Sequence, residues 1–304
     1  YEGEYLTWTT DGANAGTIFY RNEKFSITNV CGLLKVINYD ILNPKFAFYV
    51  LSVCMKIYVN YGMGNPKLMS NVVEKIQIPI PPLPIQQEIV TILDKFTQLE
   101  AELEAELEAR SRQYEYYRNQ LLSFEGKEVE WKTLNEISVN LDSKRKPVKG
   151  GSREKGSIPY YGASGIVDYV KDYIFDGDYL LISEDGANLL ARKTPIAFSI
   201  SGKTWVNNHA HILEFDNYST RRLVEYYLNS IDLTPYISGA AQPKLNQQNL
   251  NKIKIPIPSL EEQERIVNIL DQFDALVNDI KTGLPAEITA RRAQYEYYRK
   301  KLLT

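Results

Sequence analysis

Residues Ile76–Phe96 read IQIPIPPLPIQQEIVTILDKF, and residues Ile253–Phe273 read IKIPIPSLEEQERIVNILDQF. Both stretches pass from an alternating, proline-containing strand pattern into an amphipathic helix, and they lie 177 residues apart. Two further pairs repeat with nearly the same offset: Tyr5–Asn14 with Tyr179–Asn188, and Gln113–Leu122 with Gln294–Leu303. A solenoid unit has only about 20 to 50 residues, so this period indicates two copies of a whole domain with its connector, related by a pseudo-twofold.

The first copy lacks its beginning. Tyr1–Glu4 aligns with Phe175–Asp178, and nothing in the first copy corresponds to Trp131–Ile174. Either the chain has been shortened or it never carried that part.

Each copy joins a mixed segment to a long helix. The mixed segment holds short β-branched and aromatic runs with turn signals between them, and then a shorter helix near Thr220–Ile231. The predicted strands are Tyr179–Ser183, Ile196–Ile200, His211–Phe215 and an edge strand at Ile253–Ile257, with turns at Asp185-Gly186 and Ser201-Gly202. The fold class is therefore predicted to be α+β, with domains of mixed strands and short helices joined by long, antiparallel, coiled-coil-like helices.

The domain boundaries follow from these patterns. The predicted segments are the later part of a first domain (1–83), a first long helix (84–123), a complete second domain (124–258), and a second long helix (259–304) that is broken near 283–285.

The long helices carry recognisable starts and matching apolar stripes. Ser259 and Glu262 have the spacing of a capping box, and Pro84 can occupy the first helical position. Apolar residues recur at three- and four-residue spacing along both helices, as in helices that pack on one another. Gly283 followed by Pro285 predicts the break in the second helix, whereas the first has no such signal.

Composition excludes several classes of protein. The 304 residues are 44% hydrophobic and 24% charged, as in ordinary folded domains. No apolar run approaches the roughly 20 residues that cross a bilayer, and the N-terminus lacks a signal-peptide pattern, so a cytoplasmic protein without membrane contact is expected. Cys31 and Cys54 lack metal or disulfide spacing and are predicted to be buried as small hydrophobic residues.

The net charge of −3 conceals a segregation of charge. Residues 84–130 hold 5 basic and 11 acidic residues, a net charge of −6, whereas residues 131–257 hold 16 basic and 13 acidic residues, a net charge of +3. The negative charge lies mainly on the predicted helix, and the domain is mildly basic. A nucleic-acid partner is therefore compatible with the acidic total.

A basic run with interspersed glycine is the first candidate for contact with nucleic acid. Lysine and arginine neutralise phosphates, and glycine allows the backbone to approach a duplex closely. The alternative is a solvated loop. The candidate residues are Lys144, Arg145, Lys146, Lys149, Arg153 and Lys155, followed by Tyr160, Tyr161 and Ser164.

A proline-lysine loop that occurs in both copies is the second candidate. Gln242-Pro243-Lys244 is echoed by Asn65-Pro66-Lys67. An amide can read base edges beside a phosphate-seeking cation, so Gln242, Lys244 and Lys67 are candidate contacts, with an ordinary surface loop as the equal alternative. The duplicated Asp-Gly-Ala-Asn stretches are interpreted as turns.

Neither catalysis nor metal binding is predicted. The only two histidines, His209 and His211, should point to opposite sides of a strand, and no third ligand is near them in sequence. They are interpreted as structural or hydrogen-bonding residues.

The duplicated QYEYYR motif is predicted to serve helix packing and partner binding, because tyrosines at this spacing form a stripe on a helix. Its residues are Tyr114, Tyr117 and Arg118 in the first copy, and Tyr295, Tyr298 and Arg299 in the second.

These motifs together resemble the specificity subunit of type I restriction-modification systems. The helix motifs IPIPPLPIQQEIVTILDKF with QYEYYRNQLL, and IPIPSLEEQERIVNILDQF with QYEYYRKKLL, carry the resemblance. IPYYGASG and NNHAH are similar to stretches of its target-recognition domains. The resemblance covers essentially the whole chain and departs from the family only at the missing start of the first recognition domain.

The resemblance implies a DNA reader that has no catalysis of its own. Each of two target-recognition domains would read one half of a split double-stranded DNA site, and the long helices would act as a spacer. Two adenine-N6 methyltransferase subunits, which use S-adenosylmethionine, and restriction subunits, which use ATP and Mg²⁺, would dock on the chain. No cofactor is expected in this chain itself.

Two rival functions fit the sequence less well. A methyltransferase with its own reader should carry a glycine-rich cofactor loop and an Asn/Asp-Pro-Pro-aromatic tetrapeptide, neither of which occurs. A structural coiled-coil adaptor would explain the helices but would leave the large domain between them without a purpose.

Overall fold

The computed structural model describes residues 1–239 and 242–303. They form two compact units: unit 1 comprises Tyr1–Glu108 with Asp279–Thr304, and unit 2 comprises Ala109–Asn278. The division falls inside the first long helix, which the sequence did not predict. Among the described residues, no helix has both the length and the apolar character that a membrane span requires.

The first mixed segment is a three-stranded antiparallel sheet covered by a helix. Asn43 begins that helix by accepting hydrogen bonds from the backbone of Lys45 and Phe46, next to Pro44 in the first turn. Leu6 and Trp8, each 2% exposed, pack in the core beneath it. The elements are β1 (Glu4–Thr9), β2 (Ile18–Asn22), β3 (Cys31–Leu34), α1 (Pro44–Cys54) and α2 (Ser70–Val73), with strand order β2-β1-β3.

The first long helix, α3 (Leu83–Leu121), is a single helix of 39 residues. At about 1.5 Å per residue it is about 58 Å long. Pro84 is its second residue, one position later than predicted, which costs nothing because the first four backbone N–H groups have no partner within the helix. The helix continues through Glu102–Arg110 as predicted.

The second mixed segment has a six-stranded sheet and a separate pair of strands. The strand order is β5-β10-β8-β9-β6-β7; β6 and β9 are parallel and the other neighbours antiparallel. The predicted helix near Thr220–Ile231 is confirmed. The elements are β4 (Glu130–Thr133), α4 (Leu134–Ile137), β5 (Val139–Asn140), β6 (Lys155–Gly162), β7 (Gly165–Val170), β8 (Phe175–Ser183), α5 (Asn188–Ala191), β9 (Ala197–Val206), β10 (Ala210–Glu214), α6 (Tyr218–Ser230), α7 (Gln247–Leu250) and β11 (Lys254–Ile257).

Strand β11 confirms the prediction of an edge strand. Among the described residues its one partner is β4, in an antiparallel two-stranded sheet in which Pro256 faces Trp131. A proline has no N–H to donate, so it is tolerated where a strand has one neighbour.

The predicted turn at Ser201-Gly202 is wrong. Both residues lie within β9, where Gly202 pairs with Gly177 of β8. The φ angles of Gly202 and Gly177 are 76° and 156°, which only glycine adopts readily. Two facing glycines thus let both strands continue through an irregular position that in sequence looks like a turn.

Both cysteines are free and only partly buried, so the prediction of full burial is wrong. Cys31 starts β3 at the edge of its sheet, and Cys54 ends α1, so each has one open side.

The predicted break in the second long helix is confirmed. Helix α8 (Leu260–Asn278) ends before Gly283, and α9 (Leu284–Leu303) begins after it. Asp279 closes the gap, accepting hydrogen bonds from the backbone of Lys281 and the hydroxyl of Thr282.

The capping box that begins α8 is only half formed. The Ser259 hydroxyl accepts from Glu262 N at 3.4 Å, but the Glu262 carboxylate pairs with Arg265 at 2.7 Å. An arginine three residues on offers the carboxylate a charged partner on the same helix face, so the reciprocal bond to Ser259 does not form.

Helices α3 and α9 pack antiparallel within unit 1. Phe96 stacks on Tyr298 with ring centroids 5.6 Å apart, whereas Glu100, further along α3, pairs with Arg292, which is earlier in α9. The partners therefore run in opposite directions. Together with the mixed strands and short helices, this confirms the predicted fold class.

A polar cluster, here called the helix anchor, joins each mixed segment to a long helix. In unit 1, Asp94 of α3 accepts from Lys45 Nζ and from the Tyr49 hydroxyl, both at 2.6 Å. Burial, followed by the hydrogen bond to Asp94, raises the pKa of Tyr49 well above its usual value. Gln86, fully buried, donates to Ile41 O and Pro81 O at 2.8 Å.

Unit 2 repeats the helix anchor with equivalent residues. Asp271 of α8 accepts from Arg222 Nη2 at 2.8 Å and from the Tyr226 hydroxyl at 2.6 Å. Gln263 donates to Pro258 O and accepts from the Thr220 hydroxyl. The equivalents Lys45/Arg222, Tyr49/Tyr226, Gln86/Gln263 and Asp94/Asp271 all stand 177 residues apart. The repeat thus extends to individual polar contacts.

Candidate nucleic-acid interface

Five segments of unit 2 converge into a loop cluster through backbone and side-chain hydrogen bonds. Glu184 lies near its middle, since its backbone N–H donates to His209 O and its backbone carbonyl accepts from Leu245 N. The Ser183 hydroxyl donates to Ala163 O, which draws in the hairpin turn between β6 and β7. The loop cluster comprises residues 142–146, 161–164, 183–186, 206–210 and 242–245.

A buried ionic network holds the loop cluster together. Arg145 Nη1 lies 2.7 Å from Glu184 Oε2 and donates to Ala210 O, and its Nη2 lies 3.4 Å from Asp142 Oδ2. His211, 1% exposed, has Nδ1 2.6 Å from Asp142 and Nε2 2.7 Å from Leu245 O. Nδ1 thus faces a carboxylate oxygen and Nε2 faces a backbone carbonyl oxygen, and the two contacts fix the orientation of the ring.

Asp142 is held in its ionised form. Burial by itself raises its pKa, but hydrogen bonds from His211 and from the backbone of Ile212, together with the charge of Arg145, outweigh burial and leave the pKa below 3.8. Arg145 thus lies between the carboxylates of Asp142 and Glu184, and His211 hydrogen-bonds to Asp142.

This network also has the only metal-compatible grouping found within 1–239 and 242–303, formed by Asp142, Glu184 and His211. The guanidinium of Arg145 already contacts both carboxylates, and both nitrogens of His211 are hydrogen-bonded. The positive charge that a metal would supply is therefore provided by the protein itself. His211 lies on β10, whereas the half-exposed His209 lies in the turn before it, so the two are not on opposite sides of one strand as predicted; they contact different carboxylates, Asp142 and Asp185.

Three of the predicted DNA-contacting residues make internal contacts instead. Arg145 belongs to the ionic network, and Tyr160 is 1% exposed. Arg153 lies over the Tyr160 ring at 4.2 Å, pairs with Asp168 at 3.0 Å and donates to Val148 O. The prediction that these three contact DNA at the surface is wrong, since they attach the basic segment to the sheet. Local sequence could not show this, because partners such as Glu184 and Asp168 are distant in sequence.

The lysines of the basic segment remain exposed. Lys144, Lys146, Lys149 and Lys155 all lie at the surface, and in the described part of the chain no carboxylate forms an ion pair with them. Lys144 and Lys146 flank the anchored Arg145, and Trp205 Nε1 donates to Lys146 O at 2.6 Å. The structure thus brings Lys144 and Lys146 into the loop cluster with their ammonium groups free for an anionic partner.

Other predicted contacts divide between the loop cluster and the rest of unit 2. Ser164 is exposed at the β6–β7 turn, inside the cluster. Tyr161 is half-buried against Phe198, and burial raises its pKa. Lys155 starts β6, seven residues and about 20 Å of extended strand before Gly162, so it lies outside the cluster.

The proline-lysine loop is fixed in the same way in both units. In unit 2, Lys244 pairs through its backbone with Ser238, and Gly186 N donates to Pro243 O at 3.1 Å. In unit 1, Lys67 pairs with Asn60, and Gly12 N donates to Pro66 O at 2.9 Å. The Asp-Gly turns therefore hold these loops, as expected of turn geometry.

The two loop lysines differ in their ionic partners. Lys67 Nζ lies 3.3 Å from Asp11, and hydrogen bonds from Thr10 and Lys67 lower the pKa of Asp11. In unit 2 the equivalent Asp185 is occupied by His209 Nδ1 at 2.9 Å. Lys244 and Gln242 are exposed, and among the described residues no carboxylate pairs with Lys244. His209 is therefore part of the candidate interface. In the sequence, the only signal for this is that a histidine side chain can form hydrogen bonds.

The tyrosine motifs pack helix on helix, as predicted. In unit 2, Tyr114 and Tyr117 stack on Phe273 with centroids 6.2 and 5.5 Å apart. In unit 1, Tyr295 and Tyr298 contact Phe96, the repeat equivalent of Phe273. Arg118 and Arg299 lie over the rings of Tyr114 and Tyr295, and Arg299 also pairs with Glu296.

The middle tyrosine of each motif faces outward. Tyr116 and Tyr297 are 61% and 60% exposed, more than any other tyrosine of the two motifs. They were not among the predicted partner residues, although helical spacing places them on the face opposite the packed tyrosines.

Comparison with known proteins identifies the family. The family described as "Type I restriction modification DNA specificity domain" matches residues 1–109 and 126–290. The chain belongs to this family. The two matched ranges agree with the duplication read from the sequence, so the specificity domain occurs in it twice.

Several relatives are similar over long stretches. A type I restriction enzyme specificity subunit of Haemophilus influenzae is 42% identical over 183 residues, which is 59% of this chain but only 47% of that protein. A type I specificity subunit of Mycoplasma pneumoniae is 34% identical over 98% of this chain and 92% of its own length. The crystal structure of a type I restriction-modification S subunit from M. genitalium shares the fold, with a TM-score of 0.69 at 19% identity, covering 100% of this chain and 83% of that one.

Proposed function

We propose that the chain reads double-stranded DNA for a type I restriction-modification complex and performs no catalysis itself. Each of its two specificity domains contacts one half of a bipartite site. The methylating and cleaving subunits supply the chemistry, with S-adenosylmethionine, ATP and Mg²⁺ bound by those subunits.

The loop cluster is the observation that supports this proposal most. It presents Lys144, Lys146 and Lys244, which form no ion pair within the described residues, beside the exposed Gln242 and His209. Lysines supply phosphate contacts, while amide and imidazole groups can hydrogen-bond to base edges in a groove. The buried network of Arg145, Asp142 and His211 fixes the backbone beneath them, so these side chains start from a preorganised surface.

The docking of partner subunits is proposed at the outward faces of the tyrosine motifs. Tyr116 and Tyr297 are exposed aromatic residues on helices, and exposed tyrosines are common anchors of protein interfaces. Their inward neighbours Tyr114 and Tyr295 hold the helices together, so the exposed rings sit on a rigid surface.

Binding of duplex DNA by the chain together with its methyltransferase subunits tests the DNA-reading proposal. Lys144→Ala combined with Lys146→Ala should weaken binding to every duplex and reduce the slope of log K against log salt by about 1.8, because each lysine releases about 0.9 counterion. Fluorescence anisotropy at several salt concentrations gives both quantities. Lys254→Ala, which removes an exposed lysine from β11 outside the loop cluster, should leave both unchanged.

Two results would count against the proposal. If the double variant binds with unchanged affinity and slope, the basic segment is a solvated loop. If the highly purified chain transfers methyl groups from S-adenosylmethionine to DNA, it is not a reader without catalysis.

A further inference from the structure

A bulge in the β6–β7 hairpin of unit 2 sets one apolar side chain apart from the sheet. Tyr160 of β6 lies opposite Asp168, but the next residue, Tyr161, lies opposite Ile166, so Val167 is an extra residue without a partner on β6. A bulge turns the side chain of the extra residue in a new direction, and bulges are common at sheet edges beside functional sites. Val167 is 56% exposed although it is apolar.

The side chain of Val167 lies against the loop cluster, next to the amide of Asn207. Gly162 has no Cβ, and the point where a Cβ would lie is 3.0 Å from Val167 Cγ1 and 3.4 Å from Asn207 Nδ2. The backbone of Asn207 is tied to the same strand, because its N–H donates to Tyr161 O at 3.1 Å. A glycine at position 162 therefore lets an isopropyl group and an amide sit side by side.

The amide of Asn207 offers a hydrogen-bond donor in a fixed position. Its Oδ1 accepts from His209 N at 2.8 Å, which sets the orientation of the amide. Its Nδ2 has no acceptor among the described residues, yet it is not closed off from the surface. Asn207 as a whole is only 6% exposed, so the protein holds the side chain while one donor remains available.

A donor beside an apolar group matches one base better than the other three. In the major groove thymine presents the O4 acceptor next to its C5-methyl group, whereas adenine and cytosine present an amino donor, and guanine presents two acceptors without a methyl group. A phosphate-seeking lysine is close by, since Lys146 N donates to Val206 O, directly before Asn207, at 3.4 Å. Val167 and Asn207 thus lie where base contacts are expected if the lysines of the loop cluster bind the backbone.

We propose that Val167 and Asn207 together read one thymine in the half-site that unit 2 contacts. Val167 packs on the C5-methyl group, and Asn207 Nδ2 donates a hydrogen bond to O4. This inference rests on the proposed function of the chain as a DNA reader, and it adds which base is recognised and by which two side chains.

Modified bases test the two contacts separately. The half-site is first obtained by selecting duplexes from a random-sequence pool with the chain and its methyltransferase subunits. Deoxyuridine, which lacks only the C5-methyl group, then replaces each selected thymine in turn, and at one position it should weaken binding about fourfold. At that position 5-methylcytosine opposite guanine keeps the methyl group but presents an amino group in place of O4, and it should weaken binding at least about tenfold.

Variants of the chain assign each contact to a side chain. Val167→Ala should bind the thymine and deoxyuridine duplexes equally well, because the methyl groups that distinguish them are gone. Asn207→Asp keeps an acceptor for His209 N but replaces the donor with an oxygen, so it should prefer 5-methylcytosine to thymine at that position. Val139→Ala is the matched control, because Val139 is also 56% exposed but lies on β5 outside the loop cluster. It should keep the preferences of the unaltered chain.

Several outcomes would overturn the inference while leaving the proposed function in place. These are a selected half-site in which no thymine is sensitive to deoxyuridine, a sensitivity that persists in Val167→Ala, and an Asn207→Asp chain that still prefers thymine. Val167→Ala that weakens binding to every duplex equally would show that the valine only supports the hairpin. A pool from which the unaltered chain selects no sequence would instead remove the proposed function, and the inference with it.

Discussion

At the scale of single residues, the two units make the same hydrogen bond with different side chains. His211 Nε2 donates to Leu245 O at 2.7 Å, and Trp8 Nε1 donates to the equivalent Leu68 O at 3.0 Å. Trp8 lies on β1, which corresponds to β8 of unit 2, whereas His211 lies on the neighbouring strand β10. Gly32 of β3 occupies the position that corresponds to His211. A Cβ on Gly32 would lie 2.2 Å from the indole, so the glycine makes room for the tryptophan.

Removing the indole N–H should loosen the proline-lysine loop of unit 1. Trp8→Phe keeps an aromatic ring but leaves the buried Leu68 carbonyl without its donor, which should lower the free energy of unfolding by about 1–3 kcal/mol. Urea unfolding measures the change. Trp131→Phe, at a tryptophan that is 47% exposed, is the control and should have little effect. Equal losses in both variants would argue that ring size, and not the hydrogen bond, matters.

The ionic network should make unit 2 sensitive to acid. The folded-state pKa of Asp142 is lowered, so its carboxylate stabilises the fold above about pH 4 and loses that contribution as the pH falls through the folded value. Asp142→Asn leaves His211 without its carboxylate partner and Arg145 with Glu184 alone, and should lower the free energy of unfolding by about 1–3 kcal/mol at pH 7.

The pH profile separates this effect from ordinary loss of a side chain. The difference in unfolding free energy between Asp142→Asn and the unaltered chain should shrink as the pH is lowered below about 3.8. Glu154→Gln, which breaks an exposed ion pair with Lys171, should cost less than about 1 kcal/mol at any pH. A difference for Asp142→Asn that does not depend on pH would contradict the argument.

Local sequence could not show which residues of the candidate site make internal contacts. The basic run predicts DNA contacts within residues 144–155, and for its lysines this stays a prediction. Arg145 and Arg153 turn inward because the sheet brings Glu184 and Asp168 to them. Such partners, 39 and 15 positions away, cannot be read from local sequence. His209 could not be predicted as part of the candidate interface because its partner Asp185 is also distant in sequence.

At the scale of elements, helical signals in the sequence were dependable. Gly283 and Pro285 explain the break between α8 and α9. Helix α3 contains no glycine and has proline only in its first turn, so it is unbroken. Strand irregularities were harder to predict, because Gly202 in β9 resembles a turn unless its partner Gly177 is known. Helices are specified locally, whereas strands depend on distant partners.

An insertion in α3 tests its proposed role as a spacer. Four residues added after Glu104 extend the helix by about one turn, or about 6 Å, and keep its apolar stripe nearly in phase. In a chain with two complete recognition domains, the half-sites should stay the same while the unread gap grows by about one or two base pairs, at about 3.4 Å each. Mapping of methylated sites reads out both. An unchanged gap at full activity would mean that α3 does not set the spacing.

At the scale of the whole molecule, the duplication was visible in the sequence, but the division into units was not. Each unit combines one mixed segment with portions of long helices from two regions of the chain, such as α9 with the first part of α3. The repeat reveals which segments are equivalent. It does not reveal which of them share a core, because that depends on how helices pair.

Exchange of a whole domain tests whether each copy reads independently. Replacing residues 127–254 with the corresponding domain of a divergent family member should change one half of the DNA site and leave the other half intact, because unit 2 holds its own core and loop cluster. Methylome sequencing of cells that carry the hybrid is the measurement. A change in both halves would show that the two domains read the site jointly.

The helix anchors have an evolutionary consequence. Each mixed segment supplies a cation and a tyrosine, and each long helix supplies the aspartate that accepts hydrogen bonds from both. The two mixed segments therefore attach to their long helices through equivalent contacts, and these contacts are separate from the exposed loops. Genetic recombination between the two halves of the gene, or between related genes, can therefore move a mixed segment from one long helix to the other while the contacts that attach it are kept.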